Sequence, residues 1–179
     1  MIIDMPLPEN RNVANCLIAS AAICMAVYNP AITIDQAVAD YEANYGHIGP
    51  ARTNHELVYR LANDYGFRVH RADPWFSWPL ERLGRTVDAG IPVQFAHEST
   101  WDLSGTAQIG HAVVLYGHEW TENQTERYWL WDQSYAKHYC LSPAEVHHKA
   151  IYVNGQWEQR TYWMGYAVVY LPWDMEVPE

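Results

Sequence analysis

Residues 13–27 read VANCLIASAAICMAV, a stretch in which only Asn15 and Ser20 are polar. A helix at a protein surface keeps one polar face, and this stretch has none to offer. It is also too short to cross a bilayer, which takes roughly 20 apolar residues, and no other stretch of the chain is apolar enough to do so. The sequence therefore predicts a helix at the centre of a folded domain, with other elements packed against it. Tyr28, Asn29 and Pro30 end it. The 179 residues suffice for the surrounding layers and are most simply one domain spanning 1–179.

The pattern stays helical as far as Gly90. Thr33 is placed to cap a second helix that carries Ile34, Val38 and Tyr41 on one face, and residues 46–50 read as a loop. A third helix starts at Thr53, presents Leu57, Leu61 and Tyr65, and stops at Gly66. A fourth runs from Trp78 and Pro79 to Ala89 and stops at Gly90. Beyond Gly90 the stretches 91–95, 111–116, 127–131 and 165–171 are rich in β-branched and aromatic residues and read as strands. Residues 119–126 suit a hairpin connection, and Ser142 followed by Pro143 suits the start of one more short helix. Helices first and strands second predict an α+β class, with a helical half over about 10–89 and an antiparallel sheet half over about 90–173. No internal repeat or low-complexity tract interrupts the chain.

Composition narrows the function. An apolar fraction of 49% against 18% charged residues belongs to a folded globular chain. A formal charge of −10 argues against nucleic acid or an anionic membrane as the main partner. The three cysteines, Cys16, Cys24 and Cys140, cannot all pair and show no disulfide spacing, which favours a reducing compartment. The opening Met1-Ile2-Ile3-Asp4-Met5-Pro6 lacks the features of a secretory signal, so a cytoplasmic location is expected, with export by a route that needs no signal left open. Nine Trp and thirteen Tyr serve either an aromatic core or an aromatic-lined groove.

Three short segments carry the chemistry. Asn10-Arg11-Asn12-Val13-Ala14-Asn15-Cys16 puts a thiol at the N-terminal end of the central helix, where the helix dipole favours thiolate. Gly110-His111-Ala112-Val113-Val114-Leu115-Tyr116-Gly117 puts a histidine at the entry to a core strand. Trp129-Leu130-Trp131-Asp132-Gln133-Ser134 puts an acid at the exit of the next. Together Cys16, His111 and Asp132 are a nucleophile, a base and a group to orient the base. Cys24 lies two turns deeper and reads as structural, and Cys140 has no base assigned to it. His118 lies seven residues after His111 and faces the other side if strand pairing is regular. Neither the adjacent His147 and His148 nor His47 and His55 follow a metal-ligand spacing, and no glycine-rich phosphate loop occurs, so no metal or nucleotide cofactor is expected.

In their order along the chain these segments resemble the papain-like cysteine peptidases, most specifically the bacterial peptidase C39-like family. The resemblance rests on residues 10–25, on Leu83-Gly84-Arg85-Thr86-Val87-Asp88-Ala89-Gly90-Ile91-Pro92-Val93, on residues 110–117 and on residues 128–134, and covers roughly residues 8–140. It implies a papain-like fold in which a helical half packs on the sheet, with Cys16 as nucleophile, His111 as base and Asp132 as its orienting acid. It also implies an imidazolium beside Cys16 and an amide donor for the oxyanion six residues before it. The family usually has Gln there; this chain has Asn10, with Asn12 as a second candidate. Leu17 and Gln133 stand where the family commonly has Gly or Trp and Pro.

The function implied is a cysteine-dependent hydrolase that cleaves a peptide or amide bond through a thioacyl intermediate. The same residues also suit a protein glutamine deamidase or an acyltransferase, and a competing class is a non-catalytic peptide-binding module. The partner expected is a peptide, a protein or another amide-containing substrate; the sequence does not define an oligomeric state. Two polar-aromatic segments, 73–78 with Trp75 and Trp78 and 97–102 with Trp101, are the loops expected at the rim of a cleft.

Overall fold

The computed structural model of the chain describes residues 1–10, 15–47, 55–72, 78–100, 108–147, 150–153, 156–159 and 167–178. The apolar run forms α1 (Cys16–Ala26), and all of its residues except Leu17 are buried. Ile18, Ile23 and Met25 are among the fully buried side chains of the core. Each such burial contributes about 1.5–3 kcal/mol. Helix α1 lies against α2 (Ile34–Tyr45) and α3 (His55–Asp64) on one side and the sheet on the other.

The local signals read from the sequence account for these helices. Thr33 accepts a hydrogen bond from the Gln36 amide at 3.2 Å and caps α2. Ala37 and Tyr41 are buried, with Ile34 and Val38 packed beside them. Leu57, Val58, Leu61 and Ala62 bury one face of α3. The chain turns out of α3 and α4 (Leu80–Asp88) at Gly66 and Gly90, whose φ values of 76° and 81° favour glycine. The expected short helix is α5 (Pro143–His147), opened by a capping box. There the Glu145 amide donates to Ser142 Oγ at 3.3 Å, and the Ser142 amide donates to Glu145 Oε2 at 2.7 Å.

One eight-stranded sheet runs in the order β1–β8–β2–β3–β4–β5, with β6 joined to β2 and β7 joined to β6. Its strands are β1 (Arg68–Ala72), β2 (Val93–Thr100), β3 (Gln108–Trp120), β4 (Glu126–Asp132), β5 (Lys137–Leu141), β6 (Ala150–Val153), β7 (Gln156–Gln159) and β8 (Ala167–Leu171). The pairing is antiparallel except between β2 and β6, which run parallel. Strand β1 falls within the stretch read as helical. Its Arg-Val-His-Arg pattern suits the edge of a sheet, where charged side chains guard unpaired backbone. Residues 97–100 belong to β2 and not to a rim loop; residues 73–77 and 101–107 lie outside the described part.

The sheet is covered on both faces. Val114, Tyr116, Trp131, Val168 and Tyr170 meet α1, α2 and α3, whereas Val113, Leu115, Tyr128, Leu130, Val169 and Leu171 form a second core with Leu80, Leu83 and Val87 of α4. This departs from a single helical half stacked on one sheet face. The physical reason stands in the strands: Ala167-Val168-Val169-Tyr170-Leu171 is buried at every position, as a strand between two layers must be. Between Leu115 and Gly117 the β3–β4 register shifts, so Tyr116 is an extra residue in β3. The regular alternation that would set His118 opposite His111 is therefore broken. His118 is held by Asp88 at 2.8 Å and Glu126 at 3.0 Å, beside α4.

Candidate active site

The helical layer supplies the thiol. Cys16 is the first residue of α1, and Asn15 at the cap position makes no side-chain capping bond. The first amides of a helix have no partner within it, so they and the positive end of the helix dipole lie beside the sulfur. The sheet supplies the other two groups. His111 sits on β3, opposite His97 of β2, and Asp132 is the last residue of β4, opposite Lys137 of β5.

The structure brings these three together. His111 Nε2 donates to Asp132 Oδ1 at 2.9 Å, and both side chains are fully buried. With Nε2 so engaged, Nδ1 is the ring nitrogen left open to a further partner, and Cys16 is near enough to act on the charge of the ring. Burial alone drives an imidazole towards its neutral form. Here the hydrogen bond to Asp132, then the hydrogen bond and charge of Cys16, outweigh it, and the His111 pKa is pushed up to about 9. Asp132 Oδ1 also accepts the Ser134 amide at 3.0 Å, which fixes the carboxylate. Tyr135 stands edge-on to the His111 ring, with centroids 6.4 Å apart and planes at 78°, and is 41% exposed. It places an aromatic surface between the buried pair and solvent.

Asn10 is buried beside this group, and its backbone amide donates to the Gln133 carbonyl at 2.6 Å. Asn12 lies outside the described residues. Cys24 is buried deep in α1, and desolvation pushes its thiol far above the ordinary range. It is a core residue. Cys140 is exposed on β5 opposite Trp129, and all three cysteines are free. Among the described residues no group of three or more His, Cys, Asp and Glu is placed to hold a metal ion, and no helix is long and apolar enough to cross a membrane.

Sequence reasoning passed over Gln133, noted there only as a departure from proline. It is fully buried and its side-chain amide reaches both Cys16 and Ala112. It also passed over Gln94 of β2. That amide donates to the Leu17 carbonyl and to Ser20 Oγ, both at 2.7 Å, and its oxygen accepts the Tyr170 hydroxyl at 2.6 Å. The one signal available was a polar residue in an otherwise apolar strand, which a buried position obliges to find partners.

Fold and site together define a class: a mixed domain of helices and antiparallel sheet that holds a thiol on its central helix against an imidazole and a carboxylate on the sheet. The model of the Peptidase_C39 like family matches residues 2–162, and the chain belongs to that family. Membership points to a peptidase-type function. No curated protein gives a significant match to the chain.

Proposed function

We propose that the protein is a cysteine-dependent hydrolase that cleaves a peptide or amide bond, built as a single papain-like domain. The observation that carries this reading is the buried His111–Asp132 pair, 2.9 Å apart, presented to the thiol at the N-terminus of α1. The Cys16 thiolate attacks the carbonyl carbon, forming a C–S bond and an oxyanion. The Cys16 amide and the Asn10 side chain are the donors assigned to that oxyanion. His111 gives its proton to the leaving nitrogen as the C–N bond breaks, which releases an amine and leaves a thioester. Neutral His111 then takes a proton from water. The resulting hydroxide attacks the thioester, the C–S bond breaks, and the carboxylic acid leaves with thiolate and imidazolium restored.

The test uses Cys16→Ala and His111→Ala against a fluorogenic peptide-amide library, with folding checked by circular dichroism. Both variants should lose turnover by orders of magnitude; normal turnover in Cys16→Ala overturns the assignment. Intact-mass analysis of products separates the chemistries available to one thioester. Two fragments mean cleavage, a deamidation-sized shift means a glutamine deamidase, and a joined product means an acyltransferase.

A further inference from the structure

Gln133 touches the segments that carry the thiol, the imidazole and Asn10. Its Nε2 donates to the Cys16 carbonyl at 3.2 Å and to the Ala112 carbonyl, next to His111, at 2.7 Å. Its own carbonyl accepts the Asn10 amide at 2.6 Å, and it follows Asp132 in the chain. One fully buried side chain thus spans the gap between the helix that carries the thiol and the strand that carries the imidazole. We propose that Gln133 is a positioning residue, whose side-chain amide sets the separation of Cys16 from His111 while its backbone carbonyl holds Asn10 beside them. The inference rests on the reading of Cys16 and His111 as a working pair.

The chemistry of the contact supports a role beyond packing. Both NH2 hydrogens of the amide are spent on carbonyl oxygens from different layers, so the side chain acts as a two-pronged strut. The Cys16 carbonyl also accepts Ser20 Oγ at 2.7 Å, so the first turn of α1 is gripped from within the helix and from the sheet. A proline at this position has no side-chain donor and makes neither bond. Gln94 provides the internal comparison. It too is a buried glutamine donating to the start of α1, but its side chain reaches Leu17, Ser20 and Tyr170. Loss of either amide leaves buried carbonyls short of a donor and lowers stability. Only loss of Gln133 disturbs the thiol–imidazole geometry.

The experiment measures the rate of Cys16 alkylation by iodoacetamide between pH 5 and 10, with Cys24 and Cys140 resolved by peptide mass mapping, alongside the melting temperature. The chains compared are the wild type, Gln133→Met, Gln133→Asn and Gln94→Met. Methionine keeps the volume without a donor; asparagine keeps the amide but is too short to span both carbonyls, and it replaces Gln133→Met if that variant fails to fold. The expected result is that wild-type Cys16 reacts well below the pH at which an ordinary thiol does. Gln133→Met and Gln133→Asn should lose about tenfold or more of that low-pH rate, as a misplaced reacting pair does. Gln94→Met should melt lower and keep the wild-type pH profile. A wild-type profile in both Gln133 variants, with only a lower melting temperature, overturns the positioning role while leaving the pair intact. An ordinary-thiol profile in the wild type overturns the pair itself.

Discussion

Replacing Asp132 with Asn changes one atom's charge at the most buried point of the site. In the native protein His111 holds its proton up to about pH 9, although its burial opposes the charge. Relative to an ordinary imidazole this is about 3 kcal/mol of preference for the protonated form. The sign follows from the direction of the shift. A pKa raised in the folded state contributes stability that is fully present below about pH 6.5 and is lost as pH rises through about 9. Asp132→Asn keeps the shape and an acceptor oxygen but removes the charge that offsets desolvation. The His111 pKa then falls back towards the ordinary imidazole value in the folded variant. The wild type should exceed the variant by about 3 kcal/mol at pH 6, and the gap should close almost completely by about pH 9.5, because Asn still offers the neutral ring an acceptor. Urea denaturation at pH 6, 7.5 and 9.5 measures the gap. A gap that stays constant across that range refutes the electrostatic account of the pair.

The remaining predictions follow from the same geometry. Turnover of amide substrates should fall as pH rises through about 9, when His111 loses the proton destined for the leaving nitrogen, whereas alkylation of Cys16 should persist; parallel pH profiles separate the two. A Cβ added at Gly117 would sit 2.8 Å from Trp129 Cβ, so Gly117→Ala should cost about 1–3 kcal/mol and lower the melting temperature. Leu83 is fully buried between α4 and the sheet, and Leu83→Ala should cost about 2–5 kcal/mol in urea denaturation; a change under 0.5 kcal/mol would mean that α4 does not cover the second face.

What the sequence made legible was whatever leaves a local mark. The apolar run of α1 announces a buried helix, and Thr33, Ser142, Gly66 and Gly90 announce element ends through their own side chains or lack of one. Cys16, His111 and Asp132 could be picked out because each stands at the edge of a strongly patterned segment. What stayed hidden was set by distant partners. The bonds of Gln133 end on backbone carbonyls 117 and 21 residues away, and a carbonyl looks the same at every position of a sequence. The extra residue at Tyr116 cannot be seen without the register of β4 beside it, and it undoes any parity count from His111 to His118. Strand β1 was missed because its charges suit an edge and erase the apolar period. Helix α4 was found, but not the sheet face that it covers, because one-face and two-face burial differ only in how the strands pack.

The bond from Gln133 to Cys16 joins residues 117 positions apart. A ribosome adding roughly 5–20 residues each second takes roughly 6–23 seconds to cover that stretch. Throughout that interval the thiol has been made and its base and acid have not, or have not met it. The nascent chain is therefore chemically unarmed by construction. On the proposed reading, α1 completes the site only by docking on the sheet at β3. The same dependence makes reactivity at Cys16 a reporter of that docking, readable with a labelling reagent while the chain refolds.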